Sequence, residues 1–405
     1  MQGIRILEVA QFTFTPAAAG ILADWGADVI KVEHPVAGDA QRGLQLPDGS
    51  AGDGGSFVPI MEHPNRGKRS IGLALDQPQG IEILYELAKD SDVFLTNFMP
   101  DARQKLKIDV EDLRGVNPEI IYVRGTAHGS KGPEAWKGGY DGSVFWNRMG
   151  PAWATTPPDA PRTIGMPTGA FGDSMGAMTI AGGISGALFA RERSGEPSLI
   201  DVSLMSVGAW AMAYGVNIAL TIGEVRPPPP LSASGIAAMN PVAGNFETSD
   251  GRWINLTMLQ PGRYWADFCR HLEREDLIED ERFSTVENLM ANAAEGAAIV
   301  AEEFRKRPFS EWMERLQSLE GQWAPVQTVA EVANDPQLRA NGYIAPLKDA
   351  DGRDRELVLN PVQFDETPPE ITRAPLFAEH TDEILAELGR DTEQILQLKI
   401  DGVVT

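Results

Sequence analysis

A glycine-rich segment, Pro167-Thr-Gly-Ala-Phe-Gly-Asp-Ser-Met-Gly176, contains the side chains of this sequence best suited to chemistry. It runs into an uncharged stretch that is predicted to be helical from about Ser174, so Asp173 is expected at or near a helix N-terminus. Backbone N–H groups and the helix dipole favour a carboxylate at that position. Asp173 either only caps the helix or is a carboxylate nucleophile whose charge the same N–H groups keep available. The residues alone leave both interpretations open.

The same segment allows a third interpretation, in which Ser174 is the nucleophile. Gly172-Asp-Ser-Met-Gly176 matches the Gly-x-Ser-x-Gly turn of α/β-hydrolases. Such an enzyme also needs an acid and a histidine further along the chain. His271 and His380 are available, although His380 lies in a charged helical stretch that is typical of a surface.

Basic residues gather in the first third of the chain, where they could hold the phosphates of a nucleotide-like anion. The loop 10–16 after the first predicted strand contains no glycine, so the dinucleotide fingerprint is absent. Gly67-Lys-Arg-Ser70 lacks the upstream glycine of a phosphate-binding loop. The five histidines show no metal-ligand spacing, and no metal is expected. The basic residues close to predicted strand ends are Arg66, Lys68, Arg69, Arg103, Lys105 and Lys107.

Strand and helix patterns alternate in the first half, which predicts βαβ units and a parallel sheet. Strands are predicted at 4–9, 28–33, 70–75, 92–98 and 119–124, with helices at 16–25, 79–89 and 109–116. Pro227–Pro230 cannot continue a helix and predicts a linker. The more acidic and helical stretch 245–325 then predicts a second, smaller domain.

The charge balance argues against nucleic-acid binding. The 405 residues include 35 basic and 58 acidic side chains, a net charge of −23, whereas phosphate backbones require clustered Lys and Arg. Residues 1–150 carry 15 basic and 20 acidic side chains, so most of the negative charge lies in the remainder. An anionic ligand is therefore expected in the first third of the chain.

Two uncharged stretches, 174–190 and 202–223, are predicted to be buried helices. Their glycine and polar residues and the lack of a basic flank argue against membrane spans, and such helices also occur in cores and oligomer interfaces. Cys269, the single cysteine, cannot form an internal disulfide, and the N-terminal residues show no signal-peptide pattern. A cytoplasmic protein is expected.

An ordered series of motifs resembles the family III CoA-transferases, which include formyl-CoA, carnitine and bile-acid CoA-transferases and the 2-methylacyl-CoA racemases. The resemblance covers almost the whole chain, and the tail 369–375 is similar to the formyl-CoA transferase branch. The motifs are Gly3-Ile-Arg-Ile-Leu-Glu-Val9, Leu22-Ala-Asp-Trp-Gly-Ala-Asp-Val-Ile-Lys-Val-Glu33, Gly38-Asp39, Asn65-Arg-Gly-Lys-Arg-Ser70, Asn97-Phe98, Asn117-Pro118, Gly139-Tyr-Asp141, Gly172-Asp173, Asp201-Val-Ser-Leu204 and Pro375-Leu-Phe-Ala-Glu-His-Thr381.

The resemblance implies an α/β fold in which both chain ends form a large Rossmann-like domain. The expected parts are residues 1–224 in the large domain, 225–330 as linker and smaller inserted α+β domain, and 331–405 in the large domain again. Two such chains interlock like rings, so an interlocked-ring homodimer is expected. That assembly would bury the uncharged helices.

The resemblance also implies transfer of CoA from an acyl-CoA to a carboxylic acid, through anhydride and aspartyl-CoA thioester intermediates at Asp173. Coenzyme A thioesters are then substrates, and no metal is required. Family CoA contacts fall on Thr13, Phe14, His34, Leu73, Asp76, Asn97, Phe98, Lys105 and Tyr140. Since His34 and Asp76 stand where other members have arginine and lysine, phosphate binding is expected to depend more on Arg42, Lys68 or Lys137.

Two departures from the sequence pattern of the family narrow the range of expected activities. The racemase branch has a histidine after the glycine of Gly139-Tyr-Asp141, where this chain has Tyr140, so transfer is favoured over racemisation; His128 is the alternative base. The region 238–245 contains one glycine and a proline where formyl-CoA transferases have a glycine-rich closing loop. An oxalate–formate substrate pair is therefore not expected.

Overall fold

The computed structural model describes residues 1–44, 56–230 and 239–405. The chain forms two compact units, which we call the large unit and the inserted unit. The large unit consists of Met1–Thr155, Thr163–Arg226 and Pro336–Thr405, and the inserted unit of Thr156–Arg162 and Pro227–Asp335.

The large unit is built on a six-stranded parallel sheet, which confirms the prediction of a parallel α/β fold. Its strand order is β3-β2-β1-β4-β5-β6, with every neighbouring pair parallel. The order reverses between β1 and β4, and a ligand crevice opens where such a reversal occurs. The strands are β1 Arg5–Val9, β2 Asp28–Glu33, β3 Arg69–Gly72, β4 Val93–Thr96, β5 Ile121–Thr126 and β6 Leu199–Ser203.

Helices cover both faces of this sheet because the strands are apolar on both sides. On one face Ile6 and Val123 pack with Ile180, and on the other Leu7 and Phe94 share a core with C-terminal helical residues. The helices of the large unit are α1 Pro16–Asp24, α2 Pro59–Asn65, α3 Pro78–Lys89, α4 Pro100–Lys105, α5 Val110–Val116, α6 Pro151–Thr155, α7 Phe171–Ser194, α8 Leu204–Ala211 and α9 Ala213–Ile222. The inserted unit has its own core around Phe246, Phe268, Phe304 and Trp312.

The remaining elements follow α9 in chain order. The inserted unit contains an antiparallel sheet of β7 Ala243–Glu247, β8 Trp253–Thr257 and β9 Trp323–Pro325, with helices α10 Pro261–His271, α11 Asp276–Glu279, α12 Val286–Ala291, α13 Ala293–Phe304, α14 Phe309–Arg315 and α15 Val329–Val332. The C-terminal part of the large unit contains α16 Pro336–Ala340, the antiparallel hairpin β10 Ile344–Lys348 and β11 Asp354–Val358, α17 Thr381–Glu387 and α18 Thr392–Ile400.

The second uncharged stretch is not one helix. It bends by 74° between α8 and α9, and these two helices together satisfy the length and composition of a membrane span, whereas no single helix in the described ranges does. α9 has no buried residue within this chain. The predicted burial of this stretch is therefore found for residues 202–204 and for Val207 and Gly208 of α8, but not for α9 inside the single chain.

The region 238–245 lies partly in a strand. Ala238 falls outside the described residues, whereas Ala243 and Asn245 belong to β7 and pair with β8. Val242 is fully buried. Residues 243–245 are thus part of a sheet and not a free loop.

Candidate active site

A cavity of about 680 Å³ lies at the carboxyl ends of β1, β4 and β5. The loops that follow these strands provide its floor, as the strand order predicts. We call it the first cavity. Six of the predicted site residues line it: Phe14, Asn97, Phe98, Lys137, Tyr140 and Asp173.

Asp173 lies in the first turn of α7 but does not cap the helix. Ala170, at φ 59°, precedes the helix without a side-chain cap. The cap comes from Asp141, whose carboxylate accepts hydrogen bonds from the N–H of Gly172 at 3.0 and 3.2 Å and from the N–H of Asp173. The prediction that helix N–H groups hold the Asp173 charge is therefore wrong, because a carboxylate 31 residues upstream takes them.

The two carboxylates have different environments as a result. Burial, and then the charge of Asp141, raises the pKa of Asp173 to about 7. Burial also raises the pKa of Asp141, opposed by the N–H groups that it accepts. Asp173 is thus a carboxylate poised near neutral pH, which is more basic than an ordinary aspartate when it is ionised.

The glycines around Asp173 permit close packing. A Cβ at Gly172 would lie 2.3 Å from Phe145 and 2.6 Å from Asp141, and one at Gly176 would lie 2.0 Å from Phe14. These glycines let α7 approach Phe14 and the capping carboxylate. The Gly-x-Ser-x-Gly spacing therefore has a packing reason at this site.

Ser174 contacts one histidine, His63, but its hydroxyl does not donate to that histidine as the nucleophile of a serine hydrolase does. Its hydroxyl donates to the Ala170 carbonyl at 2.8 Å, so His63, at 3.3 Å, acts as the donor to its oxygen. His380 accepts from the Ser70 N–H, and His271 contacts Ser318.

A buried ion network holds the loop that lines the first cavity. Asp39 accepts hydrogen bonds from the N–H of Phe12 and of Gln41, and its other oxygen pairs with Lys31 at 2.8 Å. Phe12 has the rare φ of 66°, and its ring packs edge-on against Tyr140 with centroids 5.5 Å apart. The network keeps this strained backbone in place.

A second, smaller cavity of about 190 Å³ lies at the carboxyl ends of β1, β2 and β3. Gln11 and Phe98 line both cavities. Besides Phe98, three predicted CoA contacts, His34, Leu73 and Asp76, line the second cavity. We call it the second cavity.

Four of the predicted CoA contacts line neither cavity. One of them is Lys68, and the prediction that it binds a phosphate is wrong. Lys68 is fully buried and donates to Glu8 at 2.6 Å, to the Pro16 carbonyl and to Asn65, so it has no proton left for a phosphate. Arg42 forms two 2.7 Å hydrogen bonds with Glu33.

Thr13 and Lys105 are the other two. Thr13 is buried and donates to Gln41, whereas Lys105 is exposed at the end of α4. Lys105 is thus free to reach an anion, and Thr13 is not.

Sequence reasoning assigned no role to Asp141, Gln11 or Phe12, and it grouped Arg103 only with other basic residues. Arg103 lines the first cavity, is buried, and donates to the Phe98 carbonyl at 2.6 Å. Gln11 and Asn97 exchange two hydrogen bonds, N–H to Oδ1 at 3.0 Å and Nδ2 to carbonyl at 2.7 Å. Asp141 stands in the Gly-Tyr-Asp motif, but nothing local indicates its contact with α7.

Comparison with known proteins decides the family. The family model described as CoA-transferase family III matches residues 1–381. The chain belongs to CoA-transferase family III. It is 28% identical to the (R)-2-hydroxy-4-methylpentanoate CoA-transferase of Clostridioides difficile, over all of this chain and 99% of that protein. It is 32% identical to the succinate–glutarate CoA-transferase of Agrobacterium fabrum, over 96% of this chain and 95% of that protein.

The solved structures agree with this family assignment. The crystal structure of a CaiB/BaiF family protein from Brucella suis is similar with a TM-score of 0.80 and 29% identity, over 96% of this chain and 98% of the other. The chain is thus a family III CoA-transferase, an enzyme whose relatives transfer CoA between various acids.

Proposed function

We propose that this enzyme moves CoA from an acyl-CoA to a carboxylic acid through covalent intermediates on Asp173. The observation that carries the proposal is a carboxylate that lines the first cavity, has a pKa of about 7 and accepts no hydrogen bond from the helix start, whose N–H groups Asp141 accepts. Because it is buried, its ionised oxygen is a stronger nucleophile than an exposed aspartate. The family membership supports the substrate class.

The reaction proceeds in four exchanges. The Asp173 carboxylate attacks the thioester carbonyl, the C–S bond breaks, and CoA thiolate leaves a mixed anhydride. The thiolate attacks the aspartyl carbonyl and releases the donor acid, which leaves an aspartyl-CoA thioester. The acceptor carboxylate attacks this thioester and expels the thiolate, which then attacks the acceptor carbonyl and restores Asp173. No proton is gained or lost, so no histidine base is needed.

The surroundings of Asp173 suit this chemistry. Asp141 neutralises the N–H groups of the helix start, which would otherwise hold the nucleophile in a less reactive state. Three aromatic side chains, Phe12, Phe14 and Phe98, give the first cavity an apolar lining. Exclusion of water protects the anhydride and the thioester from hydrolysis.

We place the CoA thioester across both cavities, with the acyl end at Asp173 and the adenosine end in the second cavity. Asn97, Phe98 and Tyr140 then contact the linking part, while Leu73 contacts the adenine. Lys105, which is exposed and has no ion pair among the described residues, is the cation available for the diphosphate; Lys137 and Arg103 line the first cavity but pair with Glu134 and Asp109. Coenzyme A enters as a substrate.

The alternative functions have less support. No histidine lines the described wall of the first cavity, and Nδ1 of His128 contacts Arg148 at 3.2 Å. A racemase needs two acid–base groups at the α-carbon. A serine hydrolase needs a histidine that accepts the serine proton, whereas His63 is the donor to Ser174.

We also propose the interlocked-ring homodimer. Trp210 and Tyr214 are 83% and 91% exposed in the single chain, and Leu220 is 80% exposed. An apolar surface of this kind marks a protein–protein contact. A second copy that covers α9 would bury it.

Trapping with hydroxylamine tests the proposal. The enzyme is incubated with an acyl-CoA without acceptor and then with hydroxylamine, which converts an aspartyl thioester to a hydroxamate. Peptide mass spectrometry should find the hydroxamate at Asp173 in the wild type and in Ser174→Ala, and not in Asp173→Asn. Modification at Ser174, or turnover that persists in Asp173→Asn, would contradict it.

A further inference from the structure

The second cavity has an apolar wall and a ring of polar groups at its rim. Val9, Val32, Leu73 and Leu106 provide the wall, and the volume of about 190 Å³ suits one purine ring. This inference rests on the proposed function, in which the adenosine end of the thioester lies here. The polar groups at the rim would contact the ribose, which has either a free 3′-hydroxyl or a 3′-phosphate.

The acidic side chains that line the second cavity differ in whether a cationic side chain pairs with them. Glu33 pairs with Arg42, and Asp39 pairs with Lys31. Asp76, exposed at the rim, has no ionic partner among the residues that the structure describes. It is therefore the uncompensated charge of this site.

No cation offsets that charge within the described lining. The second cavity is lined by no lysine or arginine, and the undescribed segments 45–55 and 231–238 contain none. Nδ1 of His34 accepts from the N–H groups of Val36 and Ala37, both at 3.2 Å, so its ring offers a neutral Nε2–H donor to a ligand. The rim thus presents one carboxylate and one neutral donor.

A carboxylate and a neutral donor recognise ribose hydroxyls and not a phosphate. A carboxylate accepts hydrogen bonds from hydroxyls but repels a phosphate, and dinucleotide sites make the same choice between an acidic residue and an arginine. We propose that Asp76, with His34, selects a nucleotide whose ribose 3′-hydroxyl is free, so that the enzyme uses dephospho-CoA thioesters at least as well as CoA thioesters. A carboxylate a few ångströms from a phosphate at the surface changes binding about tenfold.

Nucleotide binding tests this without turnover. Calorimetry on the full chain compares 5′-ADP with adenosine 3′-phosphate 5′-diphosphate. The wild type should bind 5′-ADP at least as tightly, Asp76→Asn should bind the two about equally, and Asp76→Lys should prefer the 3′-phosphate about tenfold. Glu82→Lys, the same charge change at an exposed position of α3 outside both cavities, should keep the wild-type preference.

Two results would overturn the inference: tighter wild-type binding of the 3′-phosphorylated nucleotide than of 5′-ADP, or no measurable binding of either nucleotide. Turnover with an acyl-CoA and its dephospho form separates this inference from the proposed function. If neither thioester reacts while the nucleotide preference holds, the proposed function fails and the ribose selection stands. If both react and the 3′-phosphorylated form has the higher kcat/KM, the ribose selection fails and the proposed function stands.

Discussion

At the scale of residues, two aspartates lie at the start of α7 and have different roles. Asp141 accepts the N–H groups of Gly172 and Asp173, and Asp173 is left buried with a pKa of about 7. Neighbouring carboxylates whose environments differ in this way commonly have different roles. The charge of Asp173, the proposed nucleophile, therefore depends on Asp141.

The pH dependence of turnover follows from this pair. Only ionised Asp173 attacks, so kcat/KM should rise as the pH increases through about 7 and level off above it. In Asp141→Asn the like charge is gone, although an amide oxygen still accepts from the helix, so the pKa of Asp173 falls and the inflection moves to lower pH. A pH profile of kcat/KM for both proteins measures the shift. An inflection that stays in place would show that Asp141 does not act on the charge of Asp173.

At the scale of elements, α7 is positioned by small residues. Gly176 lies against Phe14, so the helix that carries Asp173 and the loop that lines the first cavity touch without a side chain between them. This contact joins the helix that carries the proposed nucleophile to the wall of the first cavity. Its geometry should be sensitive to a single methyl group.

Gly176→Ala should therefore displace Phe14, because the new Cβ would lie 2.0 Å from its ring. We expect the free energy of unfolding to fall by about 1–3 kcal/mol and kcat/KM for the acyl-CoA to fall about tenfold or more. Gly115→Ala in α5, where a Cβ meets nothing within 4 Å, is the control and should leave kcat/KM unchanged. Urea unfolding measures the free energy of unfolding, and initial rates measure kcat/KM. An unchanged kcat/KM in Gly176→Ala would show that the contact between Gly176 and Phe14 does not affect catalysis.

The strands of the sheet were predictable because each is a short apolar run between turn residues. The predicted 28–33 is β2 itself, and the predicted 92–98 contains β4. The cap of α7 was not predictable, since Asp141 reaches it across 31 residues by tertiary packing. The pairing of Lys68, just before β3, with Glu8 of β1 is likewise a contact between distant parts of the chain, which no local pattern indicates.

At the scale of the whole molecule, α9 exposes an apolar face that the proposed second copy would cover. Tyr214 is 91% exposed, and Ile222 at the end of the helix is 68% exposed. The proposed interlocked homodimer predicts a mass of two chains by light scattering at micromolar concentration. It also predicts that tagged and untagged dimers form no mixed dimer after days together, and form it only after joint unfolding and refolding. A single-chain mass, or rapid mixing under native conditions, would contradict the interlocked arrangement.

The most direct test of the central claim follows oxygen atoms into Asp173. In the proposed sequence the acceptor carboxylate becomes joined to the aspartyl carbonyl through one of its own oxygens, and that oxygen stays on Asp173 when the product acyl-CoA leaves. Turnover with an acceptor acid labelled with oxygen-18 in its carboxylate, followed by peptide mass spectrometry, should therefore find the heavy isotope in the Asp173 side chain, and not in Asp141. Complete turnover that leaves the Asp173 carboxylate unlabelled would show that CoA passes between the acids without an aspartyl intermediate.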